Sequence, residues 1–144
     1  MKNNMVIRRR VTGVIIKDGK ILLIHRIKNG NEYYVYPGGG IEEGEDVLAA
    51  LDREMKEELN FEVKEPEFLF ELDDTYAERA QQDFVYLIKE FSGDLELGGP
   101  EKDAMNENNQ YYPEWITYEF FKNIPDLWPE KIREKIIDLE AWKK

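Results

Sequence analysis

Three glutamates packed into little more than one helical turn, Glu54, Glu57 and Glu58, are the residues of this 144-residue chain best placed to do chemistry. Apolar residues recur at helical spacing from Asp46 to Leu59, which predicts an amphipathic helix. At about 100° per residue, with Glu54 at zero, Glu58 falls at about +40° and Glu57 at about −60°. Leu51, Met55, Leu48 and Leu59 fall at about +60°, +100°, +120° and +140°. The three carboxylates therefore share a face that adjoins the apolar stripe, which puts them at the rim of a core. Glu54 and Glu58 form an i,i+4 like-charge pair, which costs a few tenths of a kcal/mol on an exposed helix and more when desolvated. A hard divalent cation would remove that cost, and Mg²⁺ in particular takes one or two carboxylates together with waters and substrate phosphates. A solvated acidic face is the plain alternative.

The charge distribution around that helix is uneven. The whole chain carries a net charge of −11, yet residues 1–28 hold eight Lys/Arg and one acid, Asp18. Residues 39–61 hold eight acids and two bases, a net of −6 and more than half of the total. Such an acidic balance argues against a protein that coats DNA or RNA, because phosphate binding is driven by Lys and Arg releasing counterions. With no Cys, disulfides, thiolate nucleophiles, Cys-based zinc sites and iron–sulfur clusters are excluded. No apolar run approaches the roughly 18 residues that span a bilayer. Residues 1–10 lack the apolar core of a signal peptide, so a cytoplasmic protein is expected.

The elements that must position the glutamates are legible in outline. Val6 to Ile16 and Lys20 to Arg26 read as a hairpin joined at Asp18-Gly19, and a second turn at Asn29-Gly30 leads to a short aromatic strand, Tyr33 to Tyr36. Gly38-Gly39-Gly40 is expected to be irregular, a tight turn without Cβ atoms that exposes carbonyls; it lacks the GKS/T ending of a P-loop. After the acidic helix, strands are predicted at Glu67 to Leu72, Asp83 to Phe91 and Tyr111 to Thr117. Gly98 to Asn109 reads as a polar loop, and Pro129 to Trp142 as one amphipathic helix. The order of strands, helix, strands and helix predicts a single mixed α/β domain over residues 1–144, with its core at about 6–142.

From Gly39 the chain reads GGIEEGEDVLAALDREMKEELNF, which resembles the Nudix box, G-x5-E-x7-R-E-U-x-E-E-x-G-U, with U a bulky apolar residue. Gly39, Glu45, Arg53, Glu54, Met55, Glu57, Glu58 and Phe61 all fall on its fixed positions, and Asn60 stands where the pattern has Gly. That position follows the last helical residue and needs a left-handed conformation, for which Asn is the second choice. The resemblance implies a Nudix-like α/β/α sandwich with a central mixed sheet. It further implies hydrolysis of a small nucleoside diphosphate linked to another group, with Mg²⁺ or Mn²⁺. Carried over by position, Glu54, Glu57 and Glu58 would hold the metals beside the carbonyl of Gly39. One of these glutamates would orient or deprotonate the attacking water. Arg53 would hold the glutamates by ion pairing, and Glu45 would anchor Arg53 or help the metal site.

Other candidates follow from the resemblance or from strand alternation. A further metal-site carboxylate is expected in the downstream loop, with Glu101 the first choice and Glu107 the second. Arg26, and Arg10 within Arg8-Arg9-Arg10, are the candidate phosphate-binding residues; alternation lets at most two of the three arginines share a face. His25 is expected to be structural. The substrate is expected to be a small nucleotide diphosphate, with no nucleic-acid polymer, no membrane and a possible homodimer. The alternative is a non-catalytic Nudix-like nucleotide-binding sensor or regulatory module. An isoprenoid-type diphosphate isomerase would need a Cys that the chain lacks.

Overall fold

The computed structural model describes residues 7–76 and 79–143. Val- and Ile-rich sequence forms β1 (Arg8–Lys17) and β2 (Lys20–Lys28), joined by Asp18 and Gly19 at φ 53° and 75°. Two successive positive φ angles make the tight turn whose twist suits a hairpin, and Lys17 pairs with Lys20. Asn29 and Gly30, at φ 52° and 84°, repeat the device and lead into β3 (Asn31–Val35). Gly38–Gly40 departs from expectation: it forms β4, antiparallel to β1 with Val11 opposite Gly39 and Thr12 opposite Gly38. The glycines permit this pairing because the backbones come very close. A Cβ on Gly38, at φ 153°, would run into the carbonyl oxygen of Val11.

Helix α1 (Val47–Leu59) ends as expected, with Asn60 left-handed at φ 64°. Its N–H bonds back to Lys56 and that of Phe61 to Met55, closing the last turn. The Asn60 side chain also donates to the Asp94 carbonyl at 3.0 Å, a bond glycine could not make. Asn60→Gly is accordingly expected to change stability by less than about 0.5 kcal/mol, because the relieved left-handed strain and the lost hydrogen bond offset one another. A urea melt with a wild-type m value would check this.

The remaining elements are β5 (Glu62–Lys64), β6 (Glu67–Tyr76), β7 (Arg79–Ile88), β8 (Glu90–Ser92), α2 (Gly99–Asp103), β9 (Asn109–Thr117), α3 (Tyr118–Asn123), β10 (Leu127–Trp128) and α4 (Glu130–Ile136). Several of these correct the sequence reading: α2 lies in the expected polar loop, α3, β5 and β10 were not anticipated, and the single strand expected over Asp83 to Phe91 is divided between β7 and β8, which pair in different sheets. The predicted terminal helix is also divided, into α4 and a 3₁₀ turn over Glu140–Lys143. The i+3 bonds Leu139 N–H to Ile136 and Trp142 N–H to Leu139 tighten the chain there. The indole of Trp142 turns back into the core and donates to the Ile136 carbonyl at 2.8 Å.

The main sheet runs β10-β3-β2-β1-β7-β6, with β4 added to β1 and β9 to β2; β5 and β8 form a separate pair. The sheet is mixed, since β1–β7 and β10–β3 are parallel and its other pairings antiparallel. Side-chain alternation sends Val11, Ile15, Leu22 and Ile24 to one face, where they pack on Ala50, Leu51, Met55 and Leu59 of α1. Val14, Ile16, Ile21 and Leu23 take the other face with Phe121, Ile132, Ile136 and Trp142. This is the α/β/α sandwich that the resemblance implied. Leu48 departs from the expected stripe and is 45% exposed, so the buried face of α1 is narrower than its apolar composition. Among the described residues, no helix is long and apolar enough to cross a membrane.

Candidate active site

Helix α1 packs against β4, and β4 pairs with β1, so the acidic helix and the arginine-bearing strand flank one glycine strand. Arg53 organises the acidic side. Its Nε and Nη2 each donate to Glu45 at 2.8 Å, Nη2 also reaches the Gly40 carbonyl at 3.0 Å, and Nη1 donates to Glu54 at 3.0 Å. Glu57, one turn on, stands at 3.5 Å from the same Nη1. The fork geometry of guanidinium makes this bidentate bond strong and directional. Glu45 also accepts the Glu42 N–H at 3.0 Å. The Arg53 hydrogen bonds, then that N–H, hold the Glu45 carboxyl down to about 2, below its ordinary 4.5. Because its proton affinity is lowered in the fold, the pair stabilises the protein above the ordinary carboxylate range and fades as pH falls toward about 2. The Arg53 guanidinium is raised in turn, chiefly by Glu45.

The three helix carboxylates are not equivalent. Glu58 is buried at 5% exposure and accepts the Gly38 N–H at 3.0 Å, tying α1 to β4. Glu54 lies so close to Gly39 that a Cβ there would overlap its carboxyl group. The side chain of Glu57 is 47% exposed. Glu54, Glu57 and Arg53 border a cavity of about 690 Å³, together with Gly38–Gly40, Glu42, Arg8, Arg10, Gly99 and Asp103. It therefore brings acidic and guanidinium groups to one space, as a cation and an anionic substrate bound together would require.

Arg10 is held from behind. Its Nε is 3.9 Å from the Asp83 carboxylate, and Asp83, 4% exposed, also accepts the Thr12 hydroxyl at 2.7 Å. Burial raises the Asp83 pKa, while Arg10 and Thr12 act against that shift.

Of the residues singled out in the sequence, Gly39, Arg53, Glu54, Glu57 and Arg10 border the cavity, and Glu45 supports Arg53. Glu58 is not among the residues that border the cavity, and its carboxylate accepts the Gly38 N–H. Arg26 does not border the cavity; its guanidinium lies 4.0 Å from the Tyr111 ring centroid and 5.4 Å from that of Tyr33. The side chain of Glu101 lies outside the described residues. Glu107 is exposed away from the cavity. His25 faces the opposite side of the sheet, 2.9 Å from Glu114 and stacked on Tyr34 at 4.5 Å, which is a structural placement. Asp103 and Glu42 border the cavity unanticipated, and Arg8 joins Arg10 there as the second arginine that alternation allows on one face. For Arg8 the signal was its i,i+2 relation to Arg10; for Asp103 there was none.

Among the described residues, no three His, Cys, Asp or Glu side chains form a metal-binding cage. The side chains converging at β4 nevertheless fit a hard divalent cation in kind. Glu54 occupies the space a Cβ at Gly39 would fill, and the donors at the cavity are oxygens without sulfur or imidazole. Mg²⁺ and Mn²⁺ favour such donors and complete their shells with water and phosphate.

Comparison with known proteins bears on the family and the fold. The family model described as NUDIX domain matches residues 7–136. An ADP-ribose pyrophosphatase of Methanocaldococcus jannaschii is 34% identical over 139 residues, covering 92% of this chain and 73% of that protein. An RNA pyrophosphohydrolase of Pelagibacter ubique is 37% identical over 73 residues, which is 50% of this chain and 45% of that relative. Among solved structures, a MutT NUDIX hydrolase from Burkholderia pseudomallei superposes with a TM-score of 0.71 at 25% identity, over 91% of this chain and 96% of that one.

Proposed function

The chain belongs to the Nudix hydrolase family, and from that premise we propose that it is a divalent-metal-dependent pyrophosphohydrolase, a single domain that cleaves the diphosphate linkage of a small nucleoside-diphosphate derivative. The observation that carries the reading is the shared cavity, with Glu54 and Glu57 on α1 and Arg8 and Arg10 on β1. A diphosphate bridge is anionic and kinetically inert, so water attacks only when its charge is neutralised. A divalent cation held by Glu54, Glu57 and the Gly39 carbonyl, with Glu58 behind them, would supply that neutralisation and make a nearby water more acidic.

The chain's own residues do the rest. Arg8 and Arg10 bind and orient phosphate oxygens, and their guanidinium forks suit that task. Arg53 fixes Glu54 while its bonds to Glu45 and Gly40 keep its own plane still. Glu57 is the least engaged carboxylate, with Arg53 at 3.5 Å, and is assigned the proton from the attacking water. Glu58 holds β4 against α1.

ADP-ribose is the first compound to test, because the M. jannaschii relative matches over 92% of this chain. The panel is ADP-ribose, oxidised nucleoside triphosphates, dinucleoside polyphosphates, nucleotide sugars and 5′-triphosphorylated RNA, each with Mg²⁺ or Mn²⁺. Hydrolysis of one small diphosphate, abolished by EDTA and restored by Mg²⁺ or Mn²⁺, is the expected result. Running it in ¹⁸O-labelled water identifies the phosphorus attacked. Tight nucleotide binding without product would replace the enzyme with a sensor module. Turnover of RNA alone would overturn the small-molecule assignment.

A further inference from the structure

Helix α2 brings Gly99 and Asp103 to the cavity and packs on α1, and hydrogen bonds secure the chain on both sides of it. On the amino-terminal side the chain is laced to the end of α1. The Glu96 N–H donates to the Leu59 carbonyl at 3.1 Å and the Gly98 N–H to the Glu58 carbonyl at 3.0 Å. The approach is close enough that a Cβ on Gly98 would sit 2.7 Å from the Glu57 carbonyl oxygen.

On the carboxyl-terminal side the hold comes from Asn109. Its side-chain amide donates to the Ala104 carbonyl at 3.1 Å, and its backbone pairs with Asn106. The Asn109 side-chain oxygen in turn accepts from Nη2 of Arg26. Arg26 cannot wander, because Tyr33 and Tyr111 are its cross-strand neighbours on β3 and β9 and both rings lie against its guanidinium. Its Nε is buried without a hydrogen-bond partner. Burying part of a guanidinium in this way costs free energy, and the hydrogen bond it makes in return is to the segment that carries α2.

We propose that Arg26 is a positioning residue: clamped between Tyr33 and Tyr111, it holds Asn109, which holds Ala104, and so keeps Gly99 and Asp103 on the cavity wall. This assignment rests on the pyrophosphohydrolase reading of that cavity. It separates two parts of the site. Glu54, Glu57, Glu58 and Arg53 are fixed by α1 and β4 and do not depend on Arg26. The α2 wall does depend on it, so loosening the clamp weakens substrate retention more than chemistry.

The test uses Arg26→Ala, Arg26→Lys, Asn109→Asp and the Arg26→Ala/Asn109→Asp double variant. Asn109→Asp keeps an acceptor for Arg26 but removes the donor to Ala104, and it covers the case in which Arg26→Ala fails to fold. Amide hydrogen exchange in substrate-free protein is expected to speed up across residues 99–105 in the single variants, with α1 unaffected. KM for the hydrolysed diphosphate should rise roughly tenfold, the scale of one charge-assisted hydrogen bond, with kcat within about twofold. The double variant should be no worse than either single one, because both cut the same chain of contacts. Arg26→Lys should restore little, since an ammonium lacks the flat fork that stacks between two rings. Unchanged exchange across 99–105, or additive losses in the double variant, would overturn the clamp and make Arg26 a direct substrate contact. If the wild-type protein hydrolyses no diphosphate, the function reading fails and the exchange measurement alone still decides the clamp.

Discussion

Glu57→Gln is expected to lower kcat by on the order of 10²- to 10⁴-fold, the range for losing a positioned general base, while the melting temperature stays the same or rises slightly. Glutamine has nearly the shape of glutamate but cannot take the proton of an attacking water. The exchange also weakens the hold on the divalent cation assigned to Glu57, since a neutral amide is a poorer ligand than a carboxylate, but the hydrogen bonds around Arg53 do not depend on it. Arg53 retains its two bonds to Glu45 and its bond to Glu54, and Glu57 contributes only the 3.5 Å contact. The substituted position is half exposed, and Gln and Glu differ little in helix propensity. Removing one negative charge beside Glu54 and Glu58 relieves like-charge repulsion, which gives the stability change its sign. Steady-state kinetics and a thermal melt on the same preparation check both halves. Unchanged kcat would remove Glu57 from the chemistry.

Gly39→Ala is the second change expected to have a large effect, and its mechanism is steric. The new Cβ would overlap the Glu54 carboxyl group, so either Glu54 leaves its place or β4 moves. Neither can yield freely. Glu54 is fixed by Arg53 at 3.0 Å, and Leu51 and Met55 anchor α1 with no exposed surface. β4 is paired to β1 at Val11 and bonded to Glu58 through the Gly38 N–H. A displacement of about 1 Å at reacting groups costs on the order of 10²-fold in rate, and kcat/KM is expected to fall at least that far. Gly40→Ala is the comparison, because a Cβ there meets nothing nearer than the Arg9 carbonyl oxygen at 4.0 Å. Its melting temperature should stay near wild type, whereas Gly39→Ala should also lose stability. Equal kcat/KM in Gly39→Ala and wild type would show that Glu54 is not held where the reaction needs it.

Both predictions start from spacings visible in the chain. The rotation of Glu54, Glu57 and Glu58 to the edge of the apolar stripe was readable because helical geometry fixes the relative angle of residues three and four apart. The left-handed Asn60 was readable for the same kind of reason, since a helix end is a local event. The two hairpins were announced by Asp18-Gly19 and Asn29-Gly30. By contrast, Gly38-Gly39-Gly40 reads as a breaker in isolation. It became a strand because β1 offered it a partner at a distance that only residues without Cβ tolerate. The short α2 and α3 fall below the length at which periodicity can be recognised.

The chain alone thus determined the family's box, the helix that carries it, and which carboxylates share a face. Those properties depend on neighbours within about one or two helical turns. Tertiary structure decided which of them border the cavity, that Glu58 accepts the Gly38 N–H, and that Arg26 bonds to Asn109. It also supplied Asp103 from α2 and selected Arg8 as the arginine that shares the cavity with Arg10. These depend on sheet order and on hydrogen bonds across long separations, such as Arg26 to Asn109, 83 residues apart. No short-range pattern in the sequence encodes such pairings, because they form only when the sheet does.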